Sequence, residues 1–181
     1  MNSAQIDKIL ARLRALHVRN PRDDAFWEHL NRLLERSPEG DLMPEAVRFT
    51  NTGETRGIMV VSGPGGGKST MLQRALSRHP AFVDCSDDTR PYIGATVPSP
   101  ASLKSMSDQL LAESGYPSVN RYREVWSRWG ILRHRFMMLK TAVLWIDEAH
   151  DLFCADRNLI LRAIKSLMQG ESAVIVILSG T

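Results

Sequence analysis

Apolar residues recur at spacings of three and four from the start of the chain. Ile6, Ile9, Leu10, Leu13 and Leu16 are interleaved with Lys8, Arg12 and Arg14, which predicts an amphipathic helix. Pro21 interrupts this pattern. A second amphipathic stretch covers about 23–36, with Phe26, Trp27, Leu30, Leu33 and Leu34 apolar, and Ser37-Pro38-Glu39-Gly40 ends it. Residues 37–56 are rich in Pro, Gly, Asn and Thr and read as a linker. The boundary falls there, giving an N-terminal helical extension (1–40) and a core domain (41–181).

Beyond residue 56 the period changes. Ile58–Val61 is a short apolar run that opens into a glycine-rich loop and a helix over Lys68–Ser77. Short strands are predicted at 81–83 and 92–97, and helices at about 101–112 and 120–138. A buried strand follows at 142–146, then a helix at about 157–168 and a last strand at 173–178. Apolar, β-branched runs alternating with helices predict a three-layer α/β/α domain built on a parallel sheet.

Composition narrows the class without choosing a function. The 181 residues are 43% hydrophobic and 24% charged, with a formal net charge of +3. Those values belong to soluble globular proteins. Cys85 and Cys154 form neither a disulfide framework nor a metal-ligand spacing, which suits a reducing compartment. No run approaches the roughly 18 apolar residues of a membrane span, and the N-terminus lacks the apolar centre of a signal peptide. A cytoplasmic protein with no membrane partner is expected.

The strongest chemical signal is Ser62-Gly63-Pro64-Gly65-Gly66-Gly67-Lys68-Ser69-Thr70, set between a strand and a helix. It matches the phosphate-binding pattern G-x-x-x-x-G-K-[ST] except at Ser62, where the first glycine is replaced. Glycines let successive backbone N–H groups turn inward as an anion nest, and the helix N-terminus adds partial positive charge. Lys68 is expected to reach the β- and γ-phosphates, and the Ser69 hydroxyl to ligate Mg²⁺. ATP with Mg²⁺ is the expected ligand of residues 62–70.

A second signal is Val143-Leu144-Trp145-Ile146-Asp147-Glu148-Ala149-His150, an apolar strand ending in two acids. Asp147 is expected to hold Mg²⁺ through water, and Glu148 to take the proton of an attacking water. His150 reads as a supporting or structural group. The final strand ends in Ser179-Gly180-Thr181. A polar side chain there can touch the γ-phosphate or the water, with Thr181 the first choice and Ser179 the second.

Charge is concentrated in 121–140, where Arg121, Arg123, Arg128, Arg133, Arg135 and Lys140 face the single acid Glu124. A helix there would carry Trp126, Trp129, Leu132 and Phe136 on one face and Arg121, Arg128 and Arg135 on another. Two readings stay open for it, a nucleic-acid contact surface and a solvated helix packed through its tryptophans.

Taken together these residues resemble the TniB family of transposition ATPases, which is related to TnsC and to ExeA-like AAA+ proteins. The resemblance runs from about residue 22 to the end. It rests on the Gly63 to Thr70 loop, on Val97-Pro98-Ser99-Pro100-Ala101-Ser102-Leu103 with Leu110-Leu111 and Gly115-Tyr116-Pro117, on Leu144 to His150, and on Leu178-Ser179-Gly180-Thr181. It implies an AAA+ P-loop NTPase fold, ATP-dependent assembly as a homo-oligomer on double-stranded DNA, and engagement of a DDE-type transposase, with a target-selection adaptor as a further partner. It implies Lys68, Ser69, Asp147, Glu148 and Thr181 in nucleotide chemistry, and DNA contacts at Lys104, Arg121 and Arg123, with Arg128 beside them.

The family's proteins continue past the last strand seen here into a fifth strand, an arginine finger and a helical lid. The sequence is therefore expected to be a truncated form whose sheet, in the order 5-1-4-3-2, leaves one edge of Ile58–Val61 open. Weak nucleotide binding and poor turnover are expected of it. An ATPase of a secretion or envelope machine, and a non-hydrolysing nucleotide-dependent module, are the alternative functions.

Overall fold

Pro21 begins the second helix. A computed structural model describes residues 3–15, 18, 20–83, 85–116, 124–154 and 158–181. Helix α1 (Ser3–Ala15) is followed by α2 (Pro21–Leu33). Proline suits the first helical position, where its missing N–H has no intrahelical partner to lose. Asn20 and Asp23 cap each other: Asn20 Oδ1 accepts from the Arg22 amide at 2.8 Å, and Asp23 Oδ2 accepts from the Asn20 amide at 2.9 Å. The stripe Ile6, Ile9, Leu10 and Leu13 of α1 is exposed.

Helix α2 ends before the expected 36 because the chain turns extended. Strand β1 (Leu34–Arg36) pairs antiparallel with β2 (Leu42–Ala46) across the Ser37–Gly40 turn, where the Gly40 amide bonds Ser37 O at 2.9 Å. The stretch read as a linker therefore contains a strand. Pro44 obscured it, yet a proline is tolerated in an edge strand. The segment is fastened to the body. The Arg48 guanidinium donates to the carbonyls of Ala173 and Glu171, both at 2.8 Å, and Thr55 Oγ1 donates to Val174 O at 2.6 Å.

The main sheet is built from β3 (Ile58–Val61), β4 (Tyr92–Thr96), β5 (Val143–Asp147) and β6 (Ile175–Gly180). All pair in parallel, in the order β3-β6-β5-β4, as expected for these four strands. The connecting helices are α3 (Lys68–Ser77), α4 (Pro80–Val83), α5 (Leu103–Glu113), α6 (Val125–Met138), α7 (Asp151–Cys154) and α8 (Leu159–Leu167). The strand expected at 81–83 is instead the helical turn α4, closed by Phe82 and Val83 amides on His79 O. The apolar trio Ala-Phe-Val had no room for a strand between the end of α3 and the loop that follows.

Alternation along each strand separates two cores. Ile93, Ala95, Leu144, Ile146, Val174 and Val176 face α5, α6 and α8. Val143, Ile175 and Ile177, with half-buried Ile58, Val60 and Trp145, face α2, α3 and α4. The result is the expected three-layer sandwich. Two glycines permit close approaches within it. A Cβ at Gly57 would lie 2.6 Å from Val176 O, and one at Gly94 would lie 2.8 Å from Trp145 Cε3.

His79 ties α2 to this body. Its ring is fully buried, with Nε2 2.9 Å from Asn31 Oδ1 and Nδ1 accepting from the Ala81 amide at 3.3 Å. The Trp27 and Phe82 rings lie 4.9 and 4.8 Å away, centroid to centroid. These bonds suit a neutral ring with its proton on Nε2. Burial disfavours the imidazolium and lowers the pKa from 6.5 to about 4. The unfolded chain takes up this proton near pH 6.5, so the stability due to the neutral ring is complete above that pH. It falls as pH drops towards 4, by at most about 1.4 kcal/mol per pH unit. Thermal unfolding followed by circular dichroism should show the midpoint decline on acidification through this window. A His79→Gln variant should lose that part of the decline.

Candidate functional site

The glycine-rich loop leaves the sheet at Ser62, whose amide still reaches Gly180 O at 3.4 Å. Gly65 and Gly67 have φ of +72° and +73°, a region side chains avoid. A Cβ at Gly66 would come within 2.3 Å of Ser62 Oγ and 3.1 Å of Gly63 O. Ser62 itself is not among the residues at positive φ, so its Cβ is accommodated where the motif more often has glycine. Helix α3 starts at Lys68 directly after the loop, with the Met71 amide on Gly67 O at 2.9 Å. Lys68 Nζ lies across the loop, donating to Ser62 O at 2.7 Å and Gly63 O at 3.2 Å.

A cleft of about 500 Å³ is lined by residues 64–70 together with Glu148, His150 and Thr181. The register explains this meeting. Val60 lies opposite Ser179 and Val61 opposite Gly180, while Ile146 lies opposite Leu178. The three chains therefore leave the sheet at one level. Lys68, Ser69, Glu148 and Thr181, singled out from the sequence, are brought together. A groove of about 600 Å³ adjoins the cleft, between the start of α2 (Asn20, Arg22, Phe26, His29) and β3, and reaches Gly66, Gly67, Lys68 and Thr70.

Asp147 does not line the cleft. Its Oδ1 accepts from Ser179 Oγ at 2.7 Å and from the Glu148 amide at 3.0 Å. Ser179 Oγ in turn accepts from Trp145 Nε1 at 2.8 Å. Of the two candidates at the end of the last strand, Ser179 bonds the acid and Thr181 borders the cleft. Trp145 carries no chemical signal of its own in the sequence, but strand alternation places Val143, Trp145 and Asp147 on one face. Glu148 has φ +55°, unusual for a residue with a Cβ and common where a site holds a side chain in a set direction. Its Oε2 is 3.3 Å from His150 Nδ1, and His150 Nε2 is 3.6 Å from Asp151 Oδ1.

The basic segment requires correction. Arg128 is 2% exposed and ion-paired with Asp108 of α5, so its charge is spent inside the fold and does not face a nucleic acid. Helical phase puts it beside Trp129, on the side that packs against α5. Arg135 donates through Nε and Nη2 to Ser114 O, and Arg133 reaches Gln169 O at 3.4 Å. Trp129, Leu132 and Phe136 are buried, and the Trp129 indole N–H donates to Ser166 Oγ. Trp126, expected on the same face, is exposed. Lys104 is exposed on α5. Arg121 and Arg123, and the Asn120 start expected for α6, lie outside the described residues.

A glycine cradle that a Cβ would fill, a lysine across it, a helix N-terminus behind it and acids at the neighbouring strand end fit a nucleoside triphosphate and Mg²⁺. Fold and site together define a P-loop NTPase of the AAA type. The chain belongs to the AAA domain family, whose model matches residues 51–181. Among solved structures it is similar to the ORC2 protein of Aeropyrum pernix, determined as ADPNP and ADP complexes. The TM-score is 0.62 and the identity 13%, over 92% of this chain and 42% of that one. At this identity the likeness establishes the fold, and the chain spans less than half the length of that protein. A structure of Pif1 helicases on forked double-stranded DNA is also similar, with TM-score 0.41 and 15% identity over 91% of this chain and 33% of that one. No curated protein matches significantly. Among the described residues, no helix is long and apolar enough to cross a membrane.

Replacing Lys68 with Ala should weaken binding of a fluorescent ATP analogue by about 10- to 100-fold, the loss expected for a charge-assisted contact. The circular dichroism spectrum should be unchanged, because among the described residues Lys68 Nζ donates only to the loop carbonyls of Ser62 and Gly63.

Proposed function

We propose that the chain binds and hydrolyses ATP, and that its nucleotide state controls assembly on double-stranded DNA and engagement of a DDE-type transposase. The observation that carries the nucleotide part is the shared cleft of the 64–70 loop with Glu148 and Thr181. The transposition part is supported by the resemblance of the Pro98-Ser99-Pro100 and Gly115-Tyr116-Pro117 segments to TniB proteins.

In this reading the phosphates of ATP lie against the loop amides and Lys68. Ser69 and Asp147 hold Mg²⁺, Asp147 through water, and the ion neutralises charge on the phosphates when bound. Glu148 accepts a proton from water as the water oxygen bonds to the γ-phosphorus. The bond from that phosphorus to the β–γ bridging oxygen breaks, and ADP and phosphate leave. Thr181 contacts the γ-phosphate or the water. The Glu148 carboxylate rests 3.3 Å from His150 Nδ1, on the cleft that both residues line. Lys104, Arg121 and Arg123 are the proposed DNA contacts.

Replacing Glu148 with Gln should lower kcat for ATP hydrolysis by about 10²- to 10³-fold while leaving binding of the ATP analogue in place. Equal rates in the two proteins would remove Glu148 from the chemistry. Gel shifts on duplex DNA should show binding that needs a non-hydrolysable ATP analogue and weakens steeply with salt. Lys104→Ala and Arg121→Ala/Arg123→Ala should reduce both affinity and salt slope. No shift at low salt would count against the DNA role and leave the nucleotide site untouched.

A further inference from the structure

Three groups in the centre of the sheet form a one-way chain of hydrogen bonds. Trp145 Nε1 donates to Ser179 Oγ at 2.8 Å, and Ser179 Oγ donates to Asp147 Oδ1 at 2.7 Å. The direction is forced by chemistry. An indole N–H can only donate and an ionised carboxylate can only accept, so the hydroxyl proton of Ser179 has one place to point. Ser179 is fully buried. The Glu148 amide adds a second donor to the same Oδ1, while Oδ2 has no hydrogen-bond donor among the described residues. The carboxylate is thus anchored by one oxygen and its rotation about χ2 is restricted.

The sheet makes this arrangement possible. Asp147 and Trp145 are two residues apart on β5, and Ser179 follows Ile175 and Ile177 on β6, so all three sit on the α3 side. The ring of Trp145 lies over Gly94, where no Cβ intervenes. A serine that merely filled space needs neither donor nor acceptor aligned in this sense.

We propose that Ser179, itself oriented by Trp145, is a positioning residue that fixes the Asp147 carboxylate so that Oδ2 faces the hydrated Mg²⁺ of the bound nucleotide. This rests on the reading of Asp147 as the acid that holds the ion. Partners that orient a metal-holding group commonly alter metal affinity when removed, even without touching the ion.

The test uses the full chain and binding of a fluorescent ATP analogue, first in EDTA and then with rising MgCl₂, so that no turnover is needed. Asp147→Asn serves as the reference and should abolish most of the Mg²⁺-dependent gain. Ser179→Ala should raise the Mg²⁺ concentration for half-maximal gain by about tenfold, and Trp145→Phe by about threefold, the effect of one neutral hydrogen bond. Affinity in EDTA should be the same in the wild type, Ser179→Ala and Trp145→Phe. The indole emission should change on Mg²⁺ addition in the wild type, and this component should be missing in Trp145→Phe. An unshifted Mg²⁺ requirement in folded Ser179→Ala, with Asp147→Asn shifted, overturns the positioning role and leaves the Asp147 reading intact. An unshifted Asp147→Asn overturns both. Should Ser179→Ala fail to fold, the Trp145→Phe titration decides, and a wild-type Mg²⁺ requirement there overturns the proposal.

Discussion

Strand β6 is hydrogen-bonded on both sides, to β3 and to β5, and the register of those two ladders determines which side chains can meet. With Val61 beside Gly180 and Ile146 beside Leu178, the glycine-rich loop, the acidic pair and Thr181 leave the sheet together. A one-residue slip would turn Ser179 and Asp147 to opposite faces. The site therefore depends on a backbone pairing before it depends on any of its own side chains. That pairing is protected by burial: Val174, Ile175 and Ile177 are wholly inaccessible, and Gly57 lets β3 approach β6 without a Cβ in the way.

The two faces of the sheet do different work. The α5, α6 and α8 side is an apolar layer in which even a charged residue, Arg128, is neutralised against Asp108. The α2, α3 and α4 side holds the polar groups nearest the site. It holds His79 between Asn31 and Ala81, and it carries the Trp145, Ser179 and Asp147 chain. Because α2 is fixed to this second face through His79 and Trp27, the groove between α2 and β3 opens directly onto the phosphate loop.

Much of this was legible in the amino-acid sequence where local and global signals agree. Ile58–Val61, the loop and Lys68–Ser77 are all specified locally, by an apolar run, by glycines and by a helix N-terminus, and their limits match. The strand ending in Asp147 was equally plain. What was hidden depends on contacts across the chain. Leu42 and Ala46 form a strand only because β1 is there to pair with them, and Ala81 to Val83 coil because His79 closes the turn. Charge counting around Arg128 could not register an acid at Asp108, twenty residues away. Nothing local to Ser179-Gly180-Thr181 distinguishes the hydroxyl that bonds the Asp147 carboxylate from the one that borders the cleft.

Gly94 links the site to the history open to this sequence. Its missing side chain is the space that the Trp145 ring occupies, with Cε3 2.8 Å from where a Cβ would stand. An alanine at 94 would displace the flat ring and with it the indole N–H that Ser179 receives. A smaller residue at 145 would leave a void over Gly94 that only a new side chain at 94 could fill. The two positions on neighbouring strands therefore constrain one another, and 94 has to stay without a side chain while 145 carries the indole ring. Among relatives, glycine at the first should travel with tryptophan at the second, and a lineage that lost one would have to find another donor for the serine.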